Sequence, residues 1–538
     1  MTTPEQAREG FDAWRARLAT NAWDDHADSL LALYGRTHER PTVHAFGAES
    51  STTVDALVRE NNRDENLPVL NRFDGLGHRT EGIDFHPSYH ELGRVLYRTG
   101  IMSRYAEPGQ QFATLALMYL YAQNGEGGHA CPLACTAGMI RILQQAGGHE
   151  AWLERLLDPN YDTHFHASQF LTEVQGGSDV GANAVVARED HDGWRLYGEK
   201  WFCSVIDAHL FLVTARPEGE GAGTRGVKAF VVPRMVDGSV NAFNVRRLKY
   251  KLGTRSMASA EVDFVGAKAV LVADFKDVVQ VVLNTSRLYN AVASVGMLQR
   301  AYREAYAYAH TRMAFGQPIV AFPTVARIIA RLRVESVANR STTFLLADMA
   351  DRIALGDASD SEARAYRLLV NLNKFWTSVQ GTRGIQDAIE VLGGNGAIES
   401  FSVLPRLLRD SIVCEAWEGG HNVLCAQAFK DSARFGIHRD LRAFLVARGA
   451  EGPLFDAAFD RWEALLTASP TQGALHARTL AEELRIPVQS AAMQWEASQT
   501  GGLAGLQVII DDFERTNSRG YDALADEGLG DRLAQLVE

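Results

Sequence analysis

Apolar positions recur with helical spacing over most of residues 1–165. Phe11, Trp14, Leu18 and Trp23 form one such series, and Leu30, Leu31 and Tyr34 another. The pattern returns between Tyr89 and Tyr121, at Leu92, Val95 and Leu96 and then at Leu115, Leu117 and Leu120. Met139, Ile140 and Leu143 continue it, and Trp152, Leu153 and Leu156 close the region. Between these runs, Arg36 to Gly77 is polar and irregular and reads as a wrapped arm or loop. From about His164 the period shortens. Phe165–Phe170, Ala184–Arg188, Trp194–Tyr197, Leu210–Val213, Ala229–Val232 and Glu261–Phe264 read as strands, separated by Asp192-Gly193 and the glycine-rich run Gly219 to Gly226. Short strands with close turns predict a small β-barrel or sandwich between two helical blocks. The loop Gly219–Thr224 reads as a solvent-exposed connection.

From Asp274 to Phe435 the helical period returns in long runs. Leu288, Ala291, Val295, Leu298 and Ala301–Ala305 mark one core-facing stripe. Thr324 to Leu355 and Ser361 to Val391 give two more helices, long enough for an antiparallel bundle. Gly316-Gln-Pro318 and Gly393-Gly-Asn-Gly396 break the pattern. Beyond a boundary near Phe435-Gly436, the positions of Leu465, Leu466, Leu480, Leu484, Ile509 and Ile510 predict a helical appendage. The expected fold class is α+β, in four parts: a helical N-terminal domain with an extension over 1–163, a β-domain over 164–273, a helical bundle over 274–436 and the appendage over 437–538.

Composition narrows the function classes. The 538 residues carry a net charge of −12 and are 46% hydrophobic, which gives large cores and no global attraction to nucleic acid or anionic membrane. Residues 441–538 hold eight arginines, no lysine and fifteen acidic residues, a net charge of −7. Five cysteines, Cys131, Cys135, Cys203, Cys414 and Cys425, are scattered and odd in number, as expected of reduced cytoplasmic thiols. No His or Cys cluster near Cys131 and Cys135 completes a metal site. No apolar run is long enough to span a bilayer. Glu5, Glu9 and Asp12 among the first seventeen residues do not fit a signal or transit peptide.

The candidate chemistry begins at Phe170-Leu-Thr-Glu-Val-Gln-Gly-Gly-Ser-Asp-Val180. Thr172, Gly176, Gly177 and Ser178 put hydroxyls and bare backbone in one tight turn, which suits a flat heterocycle joined to a pyrophosphate. Three further features follow in order: Lys200-Trp-Phe-Cys-Ser204; Arg312-Met-Ala-Phe315-Gly316-Gln-Pro318; and Glu390-Val-Leu-Gly393-Gly394-Asn395-Gly396 with Arg409-Asp410 and Trp417-Glu418-Gly419. In this order and spacing they resemble the acyl-CoA dehydrogenase flavoproteins over roughly residues 90–435. The N-terminal extension, the spelling Glu-Val-Gln-Gly-Gly-Ser-Asp-Val and the appendage are similar to the adaptive-response, AidB-like branch, which also carries Lys-Trp-Phe-x-Ser and Trp-Glu-Gly-x-x-Asn.

The resemblance implies a helical domain, a middle β-domain and a C-terminal four-helix bundle, with FAD as cofactor and a homotetramer, or dimer of dimers, as assembly. It implies oxidation of an acyl-CoA or acyl-carrier thioester to the 2,3-enoyl thioester, by loss of an α-proton and transfer of the β-hydride to flavin N5. Electron-transfer flavoprotein is the implied acceptor. An α C–H is a poor acid, so the site needs a placed carboxylate and donors on the thioester oxygen. The resemblance puts that base at Glu418, whose backbone N–H would hold the thioester oxygen, with Gly419 admitting substrate. Glu415 and Glu390 are weaker candidates. Thr172 is implied at the pyrimidine end of the flavin, and Ser178 near the pyrophosphate or the acyl carrier arm. Ser204 is implied near N5. Phe202 is implied at the ring edge, or is a strand core residue; Cys203 alternates away from it. Arg312, Phe315, Gly393, Gly394 and Asn422 are implied cofactor contacts, Arg312 and Phe315 across a subunit interface. Glu390 stands where a glutamine is usual. Arg287 is implied near the catalytic pocket, or is a solvated helix arginine. His421 departs from the family spelling and either lines the acyl pocket or caps a turn. Two other readings remain: an AidB-like nucleic-acid-binding flavoprotein with weak dehydrogenase activity, disfavoured by the acidic appendage, and an acyl-CoA oxidase. Nucleic acid and membrane are not expected partners.

Overall fold

Caps and breakers written in the sequence set the helix limits from Asn284 onward. Helix α1 runs Asn284–Thr311. Pro323 opens α2 (Pro323–Leu355), and Gly356 closes it in the left-handed conformation at φ +77°. A Ser359–Glu362 capping box opens α3 (Asp360–Leu392). Helix α4 (Leu404–Ala416) and α5 (His421–Phe435) follow, and Gly436 ends α5 at φ +67°. The appendage adds α6 (Ile437–Val446), α7 (Pro453–Leu466), α8 (Pro470–Glu483), α9 (Arg485–Thr500), α10 (Leu506–Thr516) and α11 (Leu529–Val537).

This computed structural model describes residues 3–500, 505–518 and 520–538, in two units. The first comprises Met1–Thr53, Pro108–Gly125 and Asn290–Glu538. Its main core joins Leu298, Ala301, Ile329, Leu332, Ile385, Leu404 and Leu407 from α1–α4 to Trp14 and Leu18 of the N-terminal helix Pro4–Leu18. Each fully buried aliphatic side chain there contributes about 1.5–3 kcal/mol. A second core packs Ala330, Val334 and Val337 of α2 against Ile486 and Met493 of α9, Ile509, Ile510 and Phe513 of α10, and Leu536 of α11. The appendage therefore shares its core with the bundle instead of hanging from it.

The second unit comprises Val54–Glu107 and Glu126–Tyr289. Seven strands form its sheet: β1 (Ala167–Phe170), β2 (Val186–Asp190), β3 (Gly193–Ser204), β4 (Leu210–Pro217), β5 (Lys228–Pro233), β6 (Phe243–Leu248) and β7 (Ser259–Asp274). β7 pairs β3, β3 pairs β2, β2 pairs β4, β4 pairs β5 and β5 returns to β7, so five strands close a small barrel. β7 can pass from β3 to β5 because a register shift between Val265 and Ala267, with Gly266 at φ +102°, bends it. β1 joins parallel to β4, and β6 antiparallel to β7.

The polar stretch from Arg36 to Gly77 departs from the irregular arm expected of it. It contains helices Arg40–Glu49 and Asp55–Asn61 and the first strand of a hairpin, Val69–Phe73 with Arg79–Asp84. Pro41 near the helix start pre-sets its φ, and Val43 and Phe46 are buried, so a few well-spaced apolar residues suffice. Gly219–Thr224 is exposed as expected, yet it is held in place: Arg216 donates to Gly223 O at 3.2 Å and to Gly181 O at 2.7 Å. Among the described residues no helix is long and apolar enough to cross a membrane. All five cysteines are buried and none forms a disulfide.

Candidate active site

In the second unit, the turn after β1 is built from below by buried polar groups. Glu173 is 3% exposed and accepts from Lys200 Nζ at 2.8 Å, Ala184 N at 2.6 Å and Val185 N at 3.2 Å. Lys200 is fully buried and also donates to Leu171 O and Thr214 Oγ1. Burial pushes its ammonium down to about 8, while the Glu173 carboxylate opposes that shift. Asn183 adds donors to Leu171 O at 3.1 Å and Thr214 Oγ1 at 2.8 Å. With its lower side held in this way, the turn offers its outer atoms. Thr172 is half-buried and Ser178 exposed, and neither hydroxyl has a hydrogen-bond partner among the described residues. Gly177 is required: a Cβ there would lie 2.5 Å from Thr172 Oγ1.

Strand β3 starts its last stretch beside this turn, where Trp201 N donates to Thr172 O at 2.9 Å. Alternation then puts Cys203 in the core and Phe202 outside, 52% exposed. Burial pushes the Cys203 thiol far up, so it stays protonated. Phe202 is thus not a strand core residue. Ser204 Oγ sits 3.0 Å from Ser259 Oγ, which also accepts from Lys251 Nζ at 3.0 Å. Arg287, on α1, is 7% exposed and donates to Asn284 Oδ1 at 3.1 Å; it is not a solvated helix arginine.

In the first unit, α4 delivers the chain to Glu418. After Ala416 the backbone leaves helix at Trp417, and Glu418 takes φ +57° and Gly419 φ +102°. A non-glycine residue in the left-handed region costs about 1–2 kcal/mol, so the neighbours must impose it. Lys374, on α3 and fully buried, donates to Glu415 O at 3.0 Å and Gly419 O at 3.2 Å, on either side of Glu418. Glu418 is half-buried. His421 begins α5, whose cap is Gly420, so it does not cap the turn. Its Nε2 lies 3.3 Å from Ser378 Oγ on α3. Burial, then the charges of Lys374 and Arg478, push His421 down to about 4. Asn422 is exposed, and its Oδ1 accepts from Arg478 of α8 at 3.2 Å, so an appendage residue reaches this loop.

Arg312 precedes a two-strand hairpin, Met313–Ala314 with Gln317–Pro318, and Phe315 sits in its turn, tighter than an open loop. Phe315 is 96% exposed at φ +51°. The Arg312 guanidinium lies 5.7 Å from the Phe11 ring and pairs with no carboxylate among the described residues. Gly393 ends α3 at φ +60°; Gly393 and Gly394 are exposed, and a Cβ at either would meet nothing within 4 Å. Glu390 is exposed as well, so its charge carries no burial cost. Among the described residues no group of three or more His, Cys, Asp or Glu could hold a metal.

Sequence reasoning passed over Glu173, Asn183, Lys374, Ser378 and Arg478. Lys374 left a signal: it lies in an apolar helix run, between Leu372 and Phe375-Trp376.

Three family profiles match in series: "Adaptive response protein AidB N-terminal domain" over residues 9–163, "Acyl-CoA dehydrogenase, middle domain" over 168–267 and "Acyl-CoA dehydrogenase, C-terminal domain" over 276–432. The chain is 32% identical over 480 residues to the putative acyl-CoA dehydrogenase AidB of Escherichia coli (strain K12), covering 85% of this chain and 86% of that one. The chain belongs to the acyl-CoA dehydrogenase family. Its fold matches Caenorhabditis elegans ACDH-11, solved in complex with C11-CoA, at TM-score 0.84 and 25% identity, over 91% of this chain and 89% of that one. It also matches a Bacillus anthracis acyl-CoA dehydrogenase complexed with FAD, at TM-score 0.68 and 14% identity, over 93% and 86% of the two chains; that likeness is one of fold. The family comprises FAD-dependent oxidoreductases. The residues present fit that cofactor: in the second unit, hydroxyls without a partner on Thr172 and Ser178 and an exposed ring at Phe202 suit a flavin, and in the first unit an arginine without a carboxylate, Arg312, suits a phosphate.

Proposed function

We propose that this protein oxidises an acyl-CoA, or an acyl group on a carrier-protein arm, to the 2,3-enoyl thioester, with Glu418 as the base. The observation that carries this reading is the placement of Glu418: a half-buried carboxylate held at φ +57° between Trp417 and Gly419. Glycine on its far side leaves room for a thioester beside the carboxylate. Glu418 takes the α-proton at its carboxylate, and its backbone N–H donates to the thioester oxygen as charge develops there. FAD, when bound, supplies the acceptor for the β-hydride. Thr172, Ser178, Phe202 and Ser204 hold the flavin flat and exclude water. We assign Arg312, Phe315, Gly393, Gly394 and Asn422 to its nucleotide half, and Gly419, Arg287 and Ser178 to the acyl thioester. The working form is a cytoplasmic homotetramer that passes electrons to an electron-transfer flavoprotein. The test is anaerobic titration of the purified yellow protein with acyl-CoAs of graded length. Flavin bleaching by at least one of them, with enoyl-CoA recovered, supports the reading. A protein that takes up no FAD, or whose flavin no acyl thioester bleaches, overturns it.

A further inference from the structure

Helix α4 ends with carbonyls that its own backbone cannot satisfy. Val413 O is taken by Trp417 N, and Cys414 O by Asn290 Nδ2 at 3.1 Å. Glu415 O is taken by the Lys374 ammonium at 3.0 Å, which then reaches past Glu418 to Gly419 O at 3.2 Å. One cation thus closes a five-residue loop with Glu418 at its apex, in a conformation that a non-glycine residue keeps only under constraint. A cation at a helix C-terminus also meets the negative end of the dipole. One turn further along α3, Ser378 holds His421 at 3.3 Å, so the loop is fixed to the same helix on both sides of the apex. Lys374 is fully buried, and its charge reaches the loop, where it helps hold His421 neutral.

We propose that Lys374 is the positioning residue for the base: its ammonium fixes the apex that carries Glu418 and keeps that carboxylate ionised. The proposal rests on the reading of Glu418 as the base. A neutral, isosteric side chain would release Gly419 O and remove a positive charge from the loop. The carboxylate would then lie off its working geometry and take up its proton at higher pH.

The experiment compares holoenzyme of wild type, Lys374→Met and Glu418→Gln by anaerobic flavin bleaching across pH, with flavin content and acyl-CoA affinity measured on the same samples. For Lys374→Met we expect flavin content and acyl-CoA affinity within about twofold of wild type, a bleaching rate lower by about 10–100-fold, and an acid limb moved to higher pH by about one unit, within the range of general-base effects and of single-charge pKa shifts. An unchanged rate and acid limb overturn the proposal. Should Lys374→Met fail to fold with flavin, Lys374→Gln, which keeps a neutral N–H donor group, takes its place: a shifted acid limb supports the proposal and an unshifted one overturns it. If neither variant folds, Lys374 is a determinant of the fold and the proposal falls. Bleaching that survives in Glu418→Gln shows instead that the base reading has failed, whatever Lys374 does.

Discussion

Lys200 and Glu173 are both withdrawn from solvent and meet at 2.8 Å beneath the turn that carries Thr172 and Ser178. Removing one partner of a buried pair leaves an uncompensated charge and costs about 3–5 kcal/mol. Lys200→Met should lower the thermal midpoint and release FAD at a lower temperature than wild type. Glu173→Met should do more damage, because Ala184 N and Val185 N lose their acceptor too. Differential scanning fluorimetry, read once by intrinsic flavin emission and once by a hydrophobic dye, checks both. Equal flavin retention in the two variants and wild type would remove this pair from the support of the site.

Arg312 and Phe315 link cofactor and assembly. Phe315 stands almost wholly exposed on a strained turn, an expensive way to present an aromatic ring unless something covers it. With a second copy as the cover, Arg312→Ala should lose FAD on gel filtration and Phe315→Ser should shift the tetramer toward smaller species. Light scattering with in-line absorbance at 450 nm, as about the flavin maximum, reads both. A native monomer that keeps its flavin would sever the link.

Duplex DNA should bind weakly at physiological salt. The appendage is net acidic, and its arginines are largely spent on neighbours: Arg442 on Asp456 and Asp460, Arg461 on Glu483, Arg485 on Glu335, and Arg532 on Asp512 and Asp526. Arginines already paired release few counterions. Titration at about 50 and 200 mM salt checks this; tight binding with a steep salt slope would favour the nucleic-acid reading.

Acid should destabilise the second unit below neutrality. His129 and His164 are buried and His209 half-buried, and all three are held at about 4, against 6.5 in the unfolded chain; burial pushes His166, among them, well below its ordinary value too. The unfolded chain therefore binds protons first as pH falls. Stability is full above pH 6.5 and is lost toward pH 4, by up to about 1.4 kcal/mol per pH unit for each histidine. Asp207 acts in the opposite sense: burial raises it to about 6 from 3.8, so the native state takes its proton first and offsets about one histidine. Urea midpoints at pH 7.5 and 5 should differ, and His129→Phe should narrow the gap.

Local motifs were legible in the sequence, and their supports were not. Gly177, Thr172 and Ser178 announce a ligand turn because glycine and hydroxyl chemistry is local. Glu173 and Lys200 stand in the same motifs, yet their pairing across two strands is a tertiary fact. The strands were readable from alternation at Leu210–Val213 and Ala229–Val232. β6 was missed, because Arg246 and Arg247 break the apolar pattern of a strand that leans on β7 through Asp263 and Glu261. The polarity of residues 36–77 hid two helices, since amphipathic helices near a surface need few apolar positions. The appendage was legible as helical, but the reach of Arg478 to Asn422 was not.

The base assignment makes the sharpest demand. Glu418, Glu415 and Glu390 are the carboxylates that the sequence offers near the motif, and the structure separates them. Glu390 is exposed on the last turn of α3, with no wall around it. Glu415 lies inside α4, 3.7 Å from His421, and its carbonyl is the one that Lys374 holds. Glu418 alone of the three stands at positive φ, outside the helix and beside a glycine. Glu418→Gln keeps the shape and the backbone N–H but cannot accept a proton. FAD content and acyl-CoA binding should therefore survive. Anaerobic bleaching, and exchange of the α-hydrogen with solvent, should both fall by about 10²–10⁴-fold, the usual worth of a general base. Glu415→Gln should alter thermal stability more than the chemical step, and Glu390→Gln should leave both near wild type. Flavin reduction at wild-type rate in Glu418→Gln, with Glu415→Gln inactive, would move the base three residues back into the helix and with it the whole reading of the loop.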